Sequence, residues 1–151
     1  MEVYIAGEGY DIHSGFLLKE MCVMFSNKEY SQFVFKTDDV VLSEGDYKAI
    51  RDAVKHTSKL SFHDGDIPSH LVCDILERYQ EYTIYTYSEE MCDFIQHHLP
   101  TTIVINVQDK GLTLKEQLPD PICFRRHPPN FCAKAKAIEI RNFMDNYINL
   151  M

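Results

Sequence analysis

Residues 16–36 read FLLKEMCVMFSNKEYSQFVFK, and this stretch decides the fold. Its first half, Phe16–Phe25, is largely apolar, whereas Tyr30–Lys36 alternates and is rich in phenylalanine, so both halves predict β-strands. The short segment Asn27-Lys28-Glu29 between them favours a turn and an antiparallel hairpin. Upstream, Glu2–Glu8 predicts another strand. We therefore expect the chain to begin with an antiparallel meander of three strands.

Beyond the meander, the sequence predicts helices that alternate with strands. We first expect two helices, one from the Ser43 N-cap to about His56 and one from a first turn at Pro68 to about Tyr79. A strand over Thr83–Tyr87, a helix from the Ser88 N-cap to His98 and a strand over Thr102–Val107 buried on both faces should follow. The chain should end with a short helical piece over Leu112–Leu118, an irregular stretch over Pro119–Pro129 and a last helix capped by Asn130.

This order of elements predicts a single α/β domain over residues 1–151. Three antiparallel strands followed by α/β units would form a mixed five-stranded sheet with helices on both faces. This order of elements resembles the plan of ribonuclease H-like proteins in their DnaQ exonuclease variant. A chain of 151 residues is one domain of ordinary size, and it needs no disulfides to be stable.

Composition excludes several classes of protein. The net charge of −8 argues against indiscriminate binding to a phosphate backbone. No apolar run approaches the roughly 20 residues of a membrane span, and the N-terminus does not read as a signal peptide. Five cysteines without framework spacing indicate a reducing compartment, so we expect a cytoplasmic or nuclear protein without membrane contact. Three of these cysteines lie in apolar stretches and are expected to be core thiols: Cys22, Cys73 and Cys92.

The positive charge is concentrated near the C-terminus. Between Lys110 and Arg141 there are seven Lys and Arg residues against three Asp and Glu residues. If the domain touches single-stranded RNA, we expect the contacts to come from this segment; the candidates are Arg125, Arg126, Lys134 and Lys136. The alternatives are that these side chains pair with the protein's own carboxylates or cover a solvated helix.

A candidate metal site lies in the same segment, where Cys123, His127 and Cys132 form a C-x3-H-x4-C pattern. Two thiolates and an imidazole within ten residues suit Zn²⁺, which favours sulfur and nitrogen ligands in a tetrahedron. The candidate for the fourth ligand is Glu8, because in the exonuclease plan the end of the first strand meets the start of the last helix. The alternatives are two buried thiols beside an unrelated histidine, and a Glu8 that faces solvent between Gly7 and Gly9.

These residues resemble motifs of known families. DnaQ-type exonucleases carry D-x-E on the first strand and H-x4-D before the last helix, where this chain reads Ala6-Gly7-Glu8 and His127-x4-Cys132. The set Glu8, Cys123, His127 and Cys132 resembles the Glu-Cys-His-Cys set of the Maelstrom domain. That domain belongs to an animal germline protein of transposon silencing, and it has this fold with zinc in place of the catalytic metals.

A second resemblance is to stand-alone DnaQ-like proteins of insects and mobile elements. Its pieces are Gly15-Phe16 with Lys19-Glu20, and Cys132-Ala133. The chain departs from the families in two ways: it has no HMG box, and its second-motif aspartate has no assigned counterpart. Glu89 and Glu90 are nearest in position, and they read as first-turn helix acids.

Three functions follow as expectations. The first is a zinc-stabilised domain without Mg²⁺ chemistry that binds RNA or a protein, which the resemblance places in small-RNA (piRNA) or transposon control. The second is an active metal-dependent ribonuclease, although two-metal cleavage needs several carboxylates. The third is a protein-interaction scaffold of viral or mobile-element origin, as a monomer or a homo-oligomer.

Overall fold

A computed structural model describes residues 1–12, 15–36, 42–56, 65–114 and 132–149, with the backbone alone described at 53–56 and 148–149. Within these ranges the chain forms six strands and four α-helices. The strands are β1 (Glu2–Ile12), β2 (Gly15–Phe25), β3 (Tyr30–Lys36), β4 (Ile67–Pro68), β5 (Thr83–Thr86) and β6 (Val104–Asn106). The helices are α1 (Glu44–His56), α2 (Val72–Glu77), α3 (Glu89–His98) and α4 (Ala133–Asn149).

All six strands belong to one mixed sheet in the order β4-β3-β2-β1-β5-β6. β1, β2 and β3 pair antiparallel, as the sequence predicts, whereas β4, β5 and β6 each pair parallel to a neighbour. The general α/β class is therefore confirmed, with six strands instead of the expected five.

The unpredicted strand is β4, at one edge of the sheet. Pro68 was expected in the first turn of a helix. It belongs instead to β4, where it pairs with Lys36 of β3. An edge strand tolerates proline because the missing N–H faces no partner strand. A short 3₁₀ turn over 69–71 separates it from α2, which ends at Glu77 rather than Tyr79.

The opposite edge also departs from expectation. The strand predicted over Thr102–Val107 shortens to β6, whose three residues are half-buried because β6 is the outermost strand. Val107 begins a 3₁₀ turn that ends at Gly111 in a left-handed conformation with φ 103°. The prediction of a helical piece from Leu112 is wrong at its start, because residues 112–114 are irregular. Its remainder, the Pro119–Pro129 stretch and the Asn130 cap lie outside the described residues.

Alternation along β1 divides the core between the two faces of the sheet. Val3 and Ile5 face α2 and α3, whereas Tyr4 and Ala6 face α4. The side of α4 that meets the sheet is the predicted stripe, in which Ala133, Ala137, Ile140 and Met144 are buried. The two alanines lie in its first turns, where their small side chains allow the helix to approach the strands closely. The predicted Ile148 and Met151 contacts fall outside the described side chains.

Two predicted helix caps are confirmed. The Ser43 hydroxyl accepts from the Asp46 N–H at 3.1 Å, and Asp46 Oδ2 accepts from the Ser43 N–H at 3.3 Å. The Ser88 hydroxyl accepts from the Met91 N–H at 3.2 Å. Ser88 does this with a φ of 92°, a region that side chains rarely adopt. Its N–H donates to Asn106 Oδ1 at 3.1 Å, which ties the start of α3 to β6.

Substitutions at the two capping serines should distinguish the stability that the cap contributes from the strain of the positive φ at Ser88. Ser88→Ala should lower the free energy of unfolding by about 1 kcal/mol through the lost cap. Ser88→Gly should cost clearly less, because glycine adopts the positive φ without strain. The difference in the free energy of unfolding between the Ala and Gly variants should be larger at Ser88 than at Ser43, whose φ is not positive. Urea denaturation of the four variants tests this, and equal gaps would contradict it.

Candidate functional site

Glu8 lies in a stretch of β1 where both flanking glycines are closely surrounded, by side chains at Gly7 and by backbone at Gly9. A Cβ at Gly7 would fall 2.6 Å from the sulfur of Met91 and 2.8 Å from a methyl of Leu18. A Cβ at Gly9 would overlap the backbone oxygen of Leu17. The close approach expected of these glycines is therefore confirmed, and it presses β1 against β2 and α3 around Glu8.

A β-bulge beside Glu8 reorders the side chains of β2. Glu8 pairs with Glu20, but Gly9 pairs with Leu18, so Lys19 is the extra residue. Lys19 is 1% exposed, and its ammonium donates to the Phe35 oxygen of β3 at 2.8 Å. Because of the bulge, Leu18 packs toward α2 and α3 while Glu20 faces α4.

Two carboxylates lie side by side on the face of the sheet that α4 covers. Glu8 and Glu20 stand directly opposite each other in the β1–β2 register. Like charges in this arrangement repel and destabilise a sheet unless each finds its own partner. Glu20 is fully buried, so its charge also needs compensation for lost hydration. Both partners come from the start of α4.

Glu20 of β2 caps the start of α4, which packs on the same face of the sheet. Its Oε1 accepts from the Ala133 N–H at 2.6 Å, and its Oε2 accepts from the Gln32 amide at 3.4 Å. The first N–H groups of a helix lack partners within the helix, and its dipole favours a negative charge at that end. This contact therefore fastens the start of α4 to β2.

Glu8 forms an ion pair with Lys136, one turn into α4. The side chains are only 14% and 20% exposed, respectively. The Lys136 N–H also donates to the Cys132 oxygen at 3.1 Å, as the first hydrogen bond of the helix. The structure thus brings Glu8 to the first turns of the last helix, as expected, and Cys132 directly precedes that helix.

Lys134 points to the other side of α4. Its ammonium donates to the Tyr30 hydroxyl at 2.9 Å and lies 4.3 Å from the centre of that ring, a cation–π arrangement. Lys134 is 8% exposed, whereas Tyr30 is 45% exposed. Both candidate RNA-binding lysines of α4 are therefore engaged within the protein, Lys134 with β3 and Lys136 with β1.

Cys132 is fully buried and packs against Ala135 and Leu114. The other two residues of the metal pattern, Cys123 and His127, lie outside the described residues, as do Arg125 and Arg126. Among the residues that are described, no group of three or more His, Cys, Asp and Glu side chains is arranged to hold a metal ion. The complete four-ligand set is therefore still a prediction.

A second pair of acids lies where β1 ends and α3 begins. The Glu90 carboxyl is hydrogen-bonded to Asp11, and its pKa is raised by burial, by the charge of Asp11 and by that hydrogen bond. The sequence pattern indicates only a first-turn helix acid at Glu90 and gives no signal at Asp11. The end of β1 thus carries carboxylates toward two helices.

The remaining cysteines divide into two kinds. Cys22 is fully buried and packs under α4, as expected of a core thiol, whereas Cys73 and Cys92 are only half-buried. The pKa of the Cys92 thiol is raised by burial first and then by Asp93, Asp109 and Glu89. That shift favours the neutral thiol, which is a poor nucleophile and a poor metal ligand.

Sequence reasoning missed the structural role of Glu20, Gln32 and Tyr30. A usable signal was present, because Lys19-Glu20 interrupts the apolar run of β2 with two charges. Charged residues inside a buried strand are rarely tolerated without partners. Lys19 finds its partner on β3, whereas the Ala133 N–H that Glu20 accepts lies on α4, more than 100 residues further along the chain.

The sequence matches no protein-family model and no curated protein. No helix within the described ranges is long and apolar enough to cross a bilayer.

The pair of Glu8 and Lys136 should contribute measurably to stability. A double-mutant cycle with Glu8→Gln, Lys136→Met and the double variant should give a coupling energy of about 1–2 kcal/mol, because both groups are largely removed from water. The control is Arg141 and Asp145, an ion pair within α4 whose carboxylate side chain is 41% exposed. Its cycle should give less than about 0.5 kcal/mol. Urea denaturation measures both, and a coupling near zero for Glu8 and Lys136 would contradict the assignment.

Proposed function

We propose that the chain is a non-catalytic binding domain built on the ribonuclease H-like exonuclease plan and stabilised by zinc, similar in kind to the Maelstrom domain. The observation that carries this proposal is the ion pair between Glu8 and Lys136 at the start of α4. In the resembling families this position belongs to the metal centre, and here a lysine neutralises the first-strand acid.

The arrangement of strands supports the fold assignment. A meander of β1, β2 and β3 continues through parallel β5 and β6, which is the series of three antiparallel strands and α/β units that the plan requires. The last helix packs on the face that carries Glu8 and Glu20, with Cys132 immediately before its first residue. Glu8 contacts Lys136, whose N–H donates to the Cys132 oxygen one turn earlier in the chain.

The partners of the two carboxylates favour a protein without Mg²⁺ chemistry. Two-metal phosphodiester cleavage needs several carboxylates directed at the cations. Of the two carboxylates at this corner of the described structure, Glu20 is buried against the backbone of α4, and Glu8 by itself does not supply the several carboxylates of a two-metal site.

Zinc fits the chemistry of this corner. Cys132 and Glu8 from the described residues, with Cys123 and His127, would form a sulfur, nitrogen and oxygen donor set that zinc accepts. Two thiolates and a carboxylate around Zn²⁺ leave one net negative charge, which the Lys136 ammonium would balance. A structural zinc supplies no reaction here; it would join residues 123–132 to β1 and α4.

The same contacts favour a protein partner over RNA. Of the four candidate RNA contacts, Lys134 and Lys136 are engaged with Tyr30 and Glu8. The chain as a whole carries a charge of −8, which repels a phosphate backbone. Arg125 and Arg126 are the two candidates that these contacts do not involve.

One specific observation favours the second candidate function, a metal-dependent ribonuclease. Asp11 and Glu90 bring a first-strand acid and a helix acid into contact, as a nuclease centre would need. They are two carboxylates, which is fewer than a two-metal site uses.

Metal analysis tests the proposed zinc directly. Protein purified in metal-free buffer and loaded with Zn²⁺ should retain one zinc per chain, and its Tm should fall when the metal is removed, because assembly of the site is coupled to folding. Cys132→Ser should lose the zinc and much of this Tm difference. Cys92→Ser, at a half-buried thiol on α3, is the matched control and should keep both. Full zinc content in Cys132→Ser would contradict the assignment.

Labelled single-stranded RNA tests the alternatives. With Mg²⁺ or Mn²⁺ the protein should not shorten the RNA, and at tens of micromolar and low salt it should not retard it in a gel. If cleavage occurs, Asp11→Asn and Glu8→Gln identify the acids involved, and activity lost in Asp11→Asn would establish the ribonuclease. Retardation abolished by charge reversal at Arg125 and Arg126 would establish RNA as the partner.

A further inference from the structure

β6 forms an edge of the sheet and carries backbone groups that point away from β5. The Ile84 N–H of β5 donates to the Ile103 oxygen at 2.9 Å, and Ile84 pairs with Val104 in the parallel register. Because alternate residues of a strand direct their backbone groups to opposite sides, the N–H and C=O groups of Val104 and Asn106 face outward. Among the described residues, no hydrogen bond reaches either of these N–H groups. The Val104 oxygen is approached by the Cys92 thiol, a weak donor, at 4.0 Å.

An exposed edge of this kind is a template for another strand. At the opposite edge of the sheet, β4 contains Pro68, which has no N–H to offer. The sequence of β6 is Val104-Ile105-Asn106, which contains neither proline nor a charged residue. Ile103, directly before β6, is 64% exposed. The edge at β6 therefore lacks the usual residues that keep other strands away.

The two faces of the sheet differ beside this edge. Val104 packs with the core under α2 and α3, whereas Ile105 packs on the α4 face. Side chains alternate along a strand, so the exposed Ile103 lies on the α4 face as well. On the other face, an open cavity of about 560 Å³ lies between the start of α3 and the end of β6. Its lining consists of Glu89, Cys92, Asp93, Asn106, Gln108 and Asp109.

This cavity is negatively charged. Its lining contains three carboxylates, Glu89, Asp93 and Asp109, and no lysine or arginine. Within the described ranges, none of the three pairs with a cationic side chain. All three act on one point, because they raise the pKa of the Cys92 thiol beyond the increase that burial causes. Asn106 fixes the floor of the cavity, since its Oδ1 accepts from two backbone N–H groups at 3.1 Å.

We propose that the edge of β6 binds an extended segment of a partner protein in which lysine or arginine alternates with apolar residues, and that this segment adds a strand to the sheet. Its backbone would bond to the outward groups of Val104 and Asn106. Its apolar side chains would cover Ile103 on the α4 face, and its cationic side chains would enter the acidic cavity on the other face. β6 is short and offers few backbone bonds, so the side chains on both faces supply the rest of the affinity.

Charge decides against two other occupants of the edge. A second copy of the chain, paired edge to edge, would bring the same three carboxylates of both copies close together, and like charges across an interface are costly. The phosphates of a nucleic acid would meet the same negative charges. A basic, extended segment is the occupant that matches both the backbone groups and the cavity.

This inference rests on the proposed function, a domain that binds a protein, and names the surface and the chemistry of the partner. None of the residues that it uses is a proposed zinc ligand or RNA contact. Zinc content and RNA retardation are therefore measured on the same protein as separate readouts. If the zinc behaves as expected while the edge binds no peptide, the inference fails and the zinc-stabilised domain stands.

Amide hydrogen exchange of the unliganded chain is the first test. The N–H groups of Val104 and Asn106 should exchange quickly, whereas the Ile105 N–H, which points toward β5, should be protected. Protection of Val104 and Asn106 equal to that of Ile105 would overturn the proposal, because the edge would then already be occupied.

The probe for binding is a short peptide that alternates lysine and valine, titrated into the full chain and followed by NMR. It should bind saturably and protect the amides of Val104 and Asn106. It should bind about 10-fold more tightly than a counterpart with glutamate in place of lysine, and about 10-fold more tightly than a counterpart methylated at its backbone nitrogens. Equal binding of either counterpart, or no saturable binding of the lysine peptide, contradicts the proposal.

Variants of the chain show whether the edge and the cavity are responsible. Val104→Pro removes an outward N–H and no bond to β5, and it should weaken binding of the lysine peptide about 10-fold. The double variant of Asp93→Asn and Asp109→Asn should weaken it about 5-fold and reduce its salt dependence. Glu29→Gln, in the turn between β2 and β3, is the matched control and should change nothing.

Circular dichroism and urea denaturation establish that each variant is folded. If Val104→Pro does not fold, the double variant and the amide protection decide the question. Unchanged binding in the folded double variant would overturn the proposal. A dimer of the parent chain that Val104→Pro dissociates would also overturn it, because a second copy would then occupy the edge.

Discussion

The attachment of α4 to the sheet by a buried carboxylate is the interaction on which this corner of the molecule depends. Glu20 accepts the first N–H of α4 while it is fully excluded from water. A buried carboxylate is costly unless it is fully hydrogen-bonded, and the unpaired N–H groups of a helix end need an acceptor. The Glu20 carboxylate and the Ala133 N–H each supply the hydrogen-bond partner that the other needs. Neither β2 nor α4 could supply that partner from within itself. The position of Cys132 follows from this contact.

The contacts of two lysines then fix how α4 lies across the strands. With Ala133 and Ala137 against the sheet, Lys134 reaches β3 on one side and Lys136 reaches β1 on the other. The two lysines are two positions apart, so they leave the helix in nearly opposite directions. Lys134 and Lys136, two of the candidate RNA contacts, are partners for the protein's own Tyr30 and Glu8.

Irregularities in the sheet carry the functional residues. The bulge at Lys19 leaves Leu18 and Glu20 on opposite faces of the sheet, and Gly9 allows β1 and β2 to approach beside Glu8. At the other end of β2, a tight turn is closed by a hydrogen bond from the Phe25 N–H to the Glu29 oxygen.

The sequence alone determined what depends on local pattern. The meander, the capping residues Ser43 and Ser88, and the apolar stripe of α4 follow from periodicity and turn chemistry, which act over a few residues. It also placed Glu8 near the start of the last helix, through the order of the elements. Only the tertiary structure decided that Pro68 joins a sheet edge and that the last strand is short and half-exposed. It alone decided the partners of Glu20 and Lys136, because a contact between residues more than 100 positions apart leaves no periodicity to detect.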